Sequence, residues 1–165
     1  MLLASLFSMA NQPPIDVADI MTRKVAVLHE ENNLELAENA MQSYGFRHLP
    51  VVEGDKLVGL VTQSDIMRAS VSSLAENREL LDDNLKRYFF IREIMTANVI
   101  AVRPWTTLVE AGSIMKEQKI GCLPVTEDDG TLIGIVTQSD FLDVALNLLA
   151  ERAAMRNERT RSRAG

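Results

Sequence analysis

Two copies of one short polar motif are the residues of this chain best suited to chemistry. The stretch GLVTQSD at residues 59–65 recurs as GIVTQSD at residues 134–140. In each copy a threonine precedes an aspartate by three residues, Thr62 before Asp65 and Thr137 before Asp140. A carboxylate accepts two hydrogen bonds from the cis-diol of a ribose, and a hydroxyl bonds a ribose or a phosphate. The motif is therefore suited to hold a nucleoside phosphate.

The same spacing also has a purely structural interpretation. A threonine followed three residues later by an acidic residue resembles the capping box of a helix N-terminus. Such a cap contributes about 1 kcal/mol, and a negative side chain favours the positive end of the helix. Gly59 and Gly134 lack side chains beside the motif, which permits close approach of backbone or ligand. The sequence leaves capping and binding open, and the two are compatible.

The motif belongs to a longer repeat, because residues 19–69 align with residues 93–144. Each copy has a short β-rich run, Val25–Leu28 or Val99–Val102, then an amphipathic helix, two strands joined by an acidic turn, and a helix that begins at TQSD. The order predicts an α+β fold of two β-α-β-β-α repeats. The predicted helical stripes consist of Leu34, Ala37, Ala40 and Met41 in the first copy and Leu108, Ala111, Ile114 and Met115 in the second.

This pattern divides the chain into five segments. We predict a poorly ordered N-terminal leader at 1–16, a first repeat at 17–70, a helical connector at 71–90, a second repeat at 91–146, and a C-terminal helix with a basic tail at 147–165. Neither copy is large enough to bury both helix faces, so the two are expected to share a core.

Composition excludes several classes of protein. A net charge of −6 and a pI near 5.0 argue against general affinity for nucleic acid. The single cysteine, Cys122, excludes an internal disulfide and a multi-cysteine metal site. The apolar start is too short to span a bilayer, and a soluble cytoplasmic protein is expected. No phosphate-binding loop, dinucleotide fingerprint, nucleophile elbow or zinc motif occurs, so we expect neither catalytic residues nor a metal.

The order of Ile-Met-Thr, Leu-Pro-Val and Gly-x-Val-Thr-x-Ser-Asp, present twice, resembles a tandem pair of cystathionine-β-synthase (CBS) domains. The resemblance covers residues 17–145. It implies a pseudo-twofold pair with two clefts between the repeats, clefts that in many members bind AMP, ADP, ATP or S-adenosylmethionine. It also implies a homodimer.

Carried over by position, the resemblance implies that Asp65 and Asp140 hold ribose hydroxyls. The residues implied to meet ribose or phosphate are Thr62, Ser64, Thr137 and Ser139. Those implied to line the base pocket are Thr22, Lys24, Val25, Thr96, Asn98 and Val99. Those implied to flank the base from the other side are His48, Leu49, Pro50, Cys122, Leu123 and Pro124.

The two copies differ in charge around the implied pocket. Arg47-His48 is replaced by Gly121-Cys122, and Lys24 by Asn98. The first site is therefore predicted to be the more basic and to prefer the more phosphorylated ligand. Other polar residues have ordinary interpretations: His29 as a solvated strand end, Cys122 as a small buried residue, and the acidic turn 127–129 as solvated charge.

Two functions remain open. One is a regulatory module that senses an adenosine ligand and signals to a target protein supplied in trans. The alternative is a ligand-free structural or oligomerisation module in which the Thr-x-x-Asp motifs only cap helices. Nucleotide hydrolysis and nucleic-acid binding are not expected.

Overall fold

The computed structural model describes the backbone of residues 16–76 and 89–163, and side chains within 16–69 and 89–156. In chain order its elements are α1 (Val17–Ile20), α2 (Leu34–Tyr44), β1 (His48–Glu53), β2 (Lys56–Thr62), α3 (Gln63–Glu76), α4 (Ile91–Ile94), α5 (Leu108–Gln118), β3 (Cys122–Thr126), β4 (Leu132–Thr137) and α6 (Gln138–Arg163). The predicted leader lies outside these residues except for Asp16. So do residues 77–88 of the predicted connector, whose residues 71–76 belong to α3.

Helix α2 forms because its apolar residues recur at helical spacing and both of its ends are satisfied. Leu34, Ala37 and Met41 are buried. The side chain of Asn33 accepts the N–H of Leu36 at 2.9 Å, and Gly45 ends the helix at a φ of 71°. In the second copy the equivalent helix is α5, where the hydroxyl of Thr107 accepts the N–H of Glu110 at 3.2 Å. The predicted helical stripes are confirmed in both copies.

The two strand pairs form two-stranded sheets, β1 with β2 and β3 with β4. Strands β1 and β2 run antiparallel, with His48 opposite Thr62 and an irregularity between Val51 and Val52. Gly54 adopts a φ of 59° in the turn, a conformation that favours glycine. Helix α3 begins at Gln63, directly after the last residue of β2. The hairpin and the strand-to-helix junction are as the sequence predicts.

The predicted first strand of each copy is shortened to a single bridged residue. Leu28 donates to the carbonyl of Pro50 and accepts the N–H of Val52, both at 2.9 Å, which makes a parallel bridge to Val51. The next step, at Ala26, needs an N–H from Pro50, and proline has none. The second copy repeats this arrangement, where Val102 bridges Val125 around Pro124. The proline of each Leu-Pro-Val therefore ends the ladder.

The described residues form two compact units. Unit one contains 16–21, 104–123 and 136–163, and unit two contains 22–76, 89–103 and 124–135. The main core of unit two consists of Leu28, Leu34, Ala37, Met41, Leu49, Val51, Val61, Ile66 and Ile91. The buried apolar residues of unit one are Val17, Met21, Ala111, Met115, Cys122, Leu123 and Val136.

Within unit two, residues from the turns of both copies contact each other. Leu57 donates its N–H to the carbonyl of Gly130 at 3.1 Å. The ammonium of Lys56 lies 2.5 Å from Asp129 Oδ2 and donates to Thr131 Oγ1 at 2.8 Å. The pKa of the Asp129 carboxyl is held well below its ordinary value, chiefly by its hydrogen bond from Lys56 and then by bonds from Thr131. The acidic turn is thus paired rather than merely solvated.

A second polar contact anchors the same turn. Nη1 of Arg103 donates to Oγ1 of the buried Thr126 at 2.7 Å, to the Thr126 carbonyl at 3.1 Å and to the carbonyl of Glu127. Its Nε lies 3.3 Å from Asp128 Oδ1. At the equivalent place in the first copy, His29 Nδ1 lies 3.0 Å from the carbonyl of Val52. His29 is therefore bonded to β1 and is not simply a solvated strand end.

Candidate functional site

The first motif forms a closed cap at the start of α3. Thr62 donates to Asp65 Oδ2 twice, from its backbone N–H at 2.9 Å and from its hydroxyl at 2.7 Å. The Asp65 N–H in turn donates to Thr62 Oγ1 at 3.3 Å. This reciprocal arrangement gives hydrogen-bond partners to backbone groups that have none within the helix. The capping interpretation of Thr-x-x-Asp is confirmed.

The cap uses only one oxygen of the Asp65 carboxylate. The other, Oδ1, lies 3.3 Å from Nη2 of Arg68, one turn further along α3. The Asp65 side chain is 11% exposed, whereas that of Arg68 is 74% exposed. Exposed ion pairs of this kind stabilise a protein by about 0–1 kcal/mol. The second oxygen is therefore held by a contact that a ligand can replace.

Two chain segments of unit two flank this motif. On one side, His48 lies opposite Thr62 in the β1–β2 ladder, and the carbonyl of Arg47 accepts the N–H of Gln63 at 3.0 Å. On the other side, Leu60 and Thr96 exchange both backbone hydrogen bonds, at 3.0 and 2.9 Å. The structure thus brings the predicted residues around 48 and 96 beside the first motif.

The remaining predicted residues of unit two differ in exposure. Leu49 and Pro50 are buried, Val25 and Val99 are half-buried, and Thr22, Lys24, Ser64, Thr96 and Asn98 are exposed. The ladder to β1 reaches no further than Leu28 in the first copy. The backbone at Val25, and at Val99 in the second copy, is therefore not part of a strand ladder.

His48 is the titratable residue of this flank with a shifted pKa. Burial lowers the pKa of its imidazole below the ordinary 6.5, and the neighbouring Arg47 charge lowers it further. A neutral imidazole beside Thr62 has one donor and one acceptor for a ligand.

The second motif, in unit one, has the same two hydrogen bonds from its threonine to its aspartate. Asp140 Oδ2 accepts the N–H of Thr137 at 2.7 Å and its hydroxyl at 2.8 Å. The N–H of Gln138 donates to the carbonyl of Gly121 at 3.0 Å, as Gln63 does to Arg47. Ser139 is exposed, as Ser64 is in the first motif.

The two residues before Pro124 are buried and belong to unit one, as this motif does. Cys122 is 2% exposed and Leu123 is 0% exposed, and Pro124 of unit two is also buried. Burial raises the pKa of the Cys122 thiol to about 12, so the thiol stays protonated. It is a buried core residue with no nucleophilic character.

The backbone pairing corrects one expectation about charge. The sequence comparison assigned Lys24 to the first site and Asn98 to the second. In unit two, however, Thr22 exchanges hydrogen bonds with Ile135 of β4, at 2.9 and 3.0 Å, while Thr96 pairs with Leu60 of β2. The segment beside β2 therefore comes from the second copy and carries Asn98 rather than Lys24. The positive charge beside the first motif comes from Arg47, as the sequence predicts, and from Arg68, which the comparison of the two copies did not include.

Within residues 16–76 and 89–163, no group of three or more His, Cys, Asp or Glu side chains is placed to hold a metal ion. Over those same residues, no helix has both the length and the apolar character needed to cross a bilayer.

Comparison with known proteins gives the family. A family model described as the CBS domain matches residues 17–72 and 91–147. A CBS domain-containing protein of Dictyostelium discoideum is 32% identical over 135 residues, which cover 81% of this chain and 92% of that protein. Inosine-5′-monophosphate dehydrogenase of Korarchaeum cryptofilum is 39% identical over 118 residues, or 72% of this chain. The chain spans only 22% of the length of that enzyme.

Solved structures agree with this match. The crystal structure of AcuB from Vibrio cholerae superposes with a TM-score of 0.71 and 35% identity, covering 86% of this chain and 97% of that one. The CBS domain pair of protein MJ0100, in complex with 5′-methylthioadenosine and S-adenosyl-L-methionine, has a TM-score of 0.68, 29% identity and coverage of 81% and 98%. CBSX2 in complex with AMP has a TM-score of 0.68, 26% identity and coverage of 81% and 97%. This chain belongs to the CBS-domain family and carries two copies of the domain.

Proposed function

We propose that this protein is a non-catalytic regulatory module that binds adenosine ligands at the Thr62–Asp65 and Thr137–Asp140 motifs. The candidates are AMP, ADP, ATP and S-adenosylmethionine. The observation that carries the proposal is the Asp65 carboxylate: one oxygen is fixed by the cap, and the other is held only by an exposed arginine. A ribose diol needs such an oxygen, already oriented and held by a contact that it can replace.

Two relatives support the choice of ligand. The MJ0100 pair was solved with two adenosine compounds and CBSX2 with AMP. The motif also adjoins Thr96 on one side and His48 on the other, so donors and acceptors surround the place where a nucleoside would lie. Binding would signal to a target protein in trans, or between copies of a homodimer, by favouring one of two arrangements. We expect this to take place in the cytoplasm.

A second candidate function is a structural or oligomerisation module without a ligand. The caps at both motifs support it, because they use the threonine hydroxyl and one aspartate oxygen of each motif without a nucleotide. Under this alternative, changes at the aspartates would affect stability and nothing else.

Calorimetric titration separates the two functions. Wild-type protein is titrated with AMP, ADP, ATP and S-adenosylmethionine, and then Asp65→Ala, Asp140→Ala and the double variant are compared. The regulatory function predicts binding at micromolar to millimolar concentration that the double variant loses. Asn33→Ala is the matched control, because it removes the α2 cap in unit two without touching either motif. It should lower the melting temperature by a similar amount and leave affinity unchanged. Absence of binding by all four ligands would refute the regulatory function.

A further inference from the structure

The residue three places after each motif aspartate has opposite charge in the two motifs. Arg68 follows Asp65 in α3, and Asp143 follows Asp140 in α6. Side chains three apart on a helix are neighbours, with Cβ atoms about 5–6 Å apart. Each therefore stands beside the carboxylate that would hold the ribose.

In the first motif, a bound ribose and Arg68 compete for one oxygen. Arg68 Nη2 lies 3.3 Å from Asp65 Oδ1, and the cap occupies Oδ2. A diol that binds Oδ1 therefore displaces or shares the guanidinium. Because the Arg68 side chain is 74% exposed, its movement away from Asp65 costs no core packing.

A phosphate changes the outcome of that competition. A guanidinium forms paired, charge-assisted hydrogen bonds with a phosphate, so a phosphorylated ligand supplies the displaced Arg68 with a new partner. A ligand without phosphate supplies none. Arg47, whose carbonyl is bonded to the start of α3, adds a second positive charge on the flank.

The second motif has the reverse charge. Gly121 stands at the place of Arg47, and Asp143 at the place of Arg68. Asp140 and Asp143 put two carboxylates on one helical turn, and both would repel a phosphate. A neutral 5′ substituent avoids this repulsion, and a positively charged one is attracted.

We propose that Arg68 and Asp143 determine which adenosine ligand each motif takes. The first motif selects phosphorylated ligands. The second selects adenosine ligands whose 5′ substituent is neutral or positively charged. This inference rests on the proposed function, since it requires that adenosine ligands bind the motifs.

The test uses full-length protein with one motif disabled at a time. Asp140→Ala leaves the first motif as the binding site, and Asp65→Ala leaves the second. AMP and 5′-methylthioadenosine are the probes, because one carries a phosphate and the other a neutral thioether. Calorimetry gives the ratio of their dissociation constants in each background.

Charge reversal then moves that ratio in opposite directions. In the Asp140→Ala background, Arg68→Asp should weaken AMP binding roughly tenfold or more while changing 5′-methylthioadenosine binding less than threefold. In the Asp65→Ala background, Asp143→Arg should strengthen AMP binding by a similar factor. The neutral variants Arg68→Gln and Asp143→Asn should give about half of each effect on a logarithmic scale, and they stand in if a charge reversal fails to fold.

Three results would overturn the proposal. If the variants change both probes equally, Arg68 and Asp143 are not specificity residues, although the motifs still bind ligand. If the first motif prefers 5′-methylthioadenosine to AMP, the assignment of the sites is wrong. If neither probe binds wild-type protein, this inference fails, and the proposed function fails with it only if ADP, ATP and S-adenosylmethionine do not bind either.

Discussion

Met95 packs against the backbone of Gly59, the first residue of the repeated motif: a Cβ at Gly59 would lie 2.5 Å from Met95 Sδ and 3.1 Å from its Cγ. The glycine is thus explained by a side chain that covers β2. We predict that Gly59→Ala lowers the free energy of unfolding by about 1–3 kcal/mol, the usual cost of overpacking. Urea denaturation of the variant and of wild-type protein measures this change in the free energy of unfolding. Met95→Ala in the same chain should recover part of the loss, and strictly additive effects would contradict the contact.

Arg103 is predicted to stabilise the acidic turn of the second copy. It donates to both oxygens of the buried Thr126 and lies beside Asp128. Arg103→Met keeps the apolar stem and leaves those acceptors without this donor, which should cost about 1–3 kcal/mol in unfolding free energy. Chemical denaturation of Arg103→Met beside Arg103→Lys tests this. Equal stability of Arg103→Met and wild type would exclude the anchoring role.

The pairing of Asp129 with Lys56 predicts a dependence of stability on acid pH. Because the hydrogen bonds from Lys56 and Thr131 depress the pKa of the folded carboxyl, its contribution is complete above the pKa of the unfolded chain. The contribution is lost as the pH falls through the folded pKa. The difference in melting temperature between wild type and Asp129→Asn should therefore shrink as the pH falls from 6 to about 3. Asp55→Asn, in the neighbouring turn, is the control for removal of a turn carboxylate.

His48 is predicted to titrate below an ordinary histidine. Its lowered pKa is due first to burial and then to Arg47, so the midpoint of its imidazole resonance in NMR should lie under 6.5. The folded state then binds fewer protons than the unfolded chain between the two pKa values. The stability that His48 contributes is therefore complete above 6.5 and is lost as the pH falls below it. Arg47→Ala should raise the midpoint only in part, and full recovery of 6.5 would exclude burial as the main cause. His48→Gln identifies the resonance.

Cys122 is predicted to resist alkylation in the folded protein. The thiol is 2% exposed and its pKa is raised to about 12, so almost no thiolate is present at pH 8. Mass spectrometry after iodoacetamide treatment should find native protein unmodified and urea-unfolded protein fully modified. Rapid modification of the native protein would show that the residue is accessible.

The sequence alone predicts the position of both motifs, because capping chemistry is local and the repeat identifies equivalent residues. Thr62 and Asp65 meet as their spacing requires. Periodicity similarly predicts α2, whose buried face follows from its own residues.

The features that the sequence does not predict depend on contacts between distant segments or on the backbone N–H that proline lacks. The run ending at Leu28 has strand composition, yet Pro50 lacks the N–H that would extend its ladder. The assignment of Lys24 assumed that each copy completes its own site, whereas Thr96 pairs with Leu60. Arg68 carried a usable signal, since an acidic residue three places before an arginine on a helix predicts an ion pair.

The pairing of Leu60 with Thr96, and of Thr22 with Ile135, bears on how the protein is made. A ribosome synthesises the chain from its N-terminus, at about 5–20 residues per second. When the first copy emerges, the outer backbone groups of β2 have no partner, and the partner of Thr22 is among the last repeat residues to be translated. Unpaired strand edges promote association with other chains. Each copy thus completes these backbone pairs only with the other, which is a physical reason for the duplicated halves to share one polypeptide rather than assemble from separate ones.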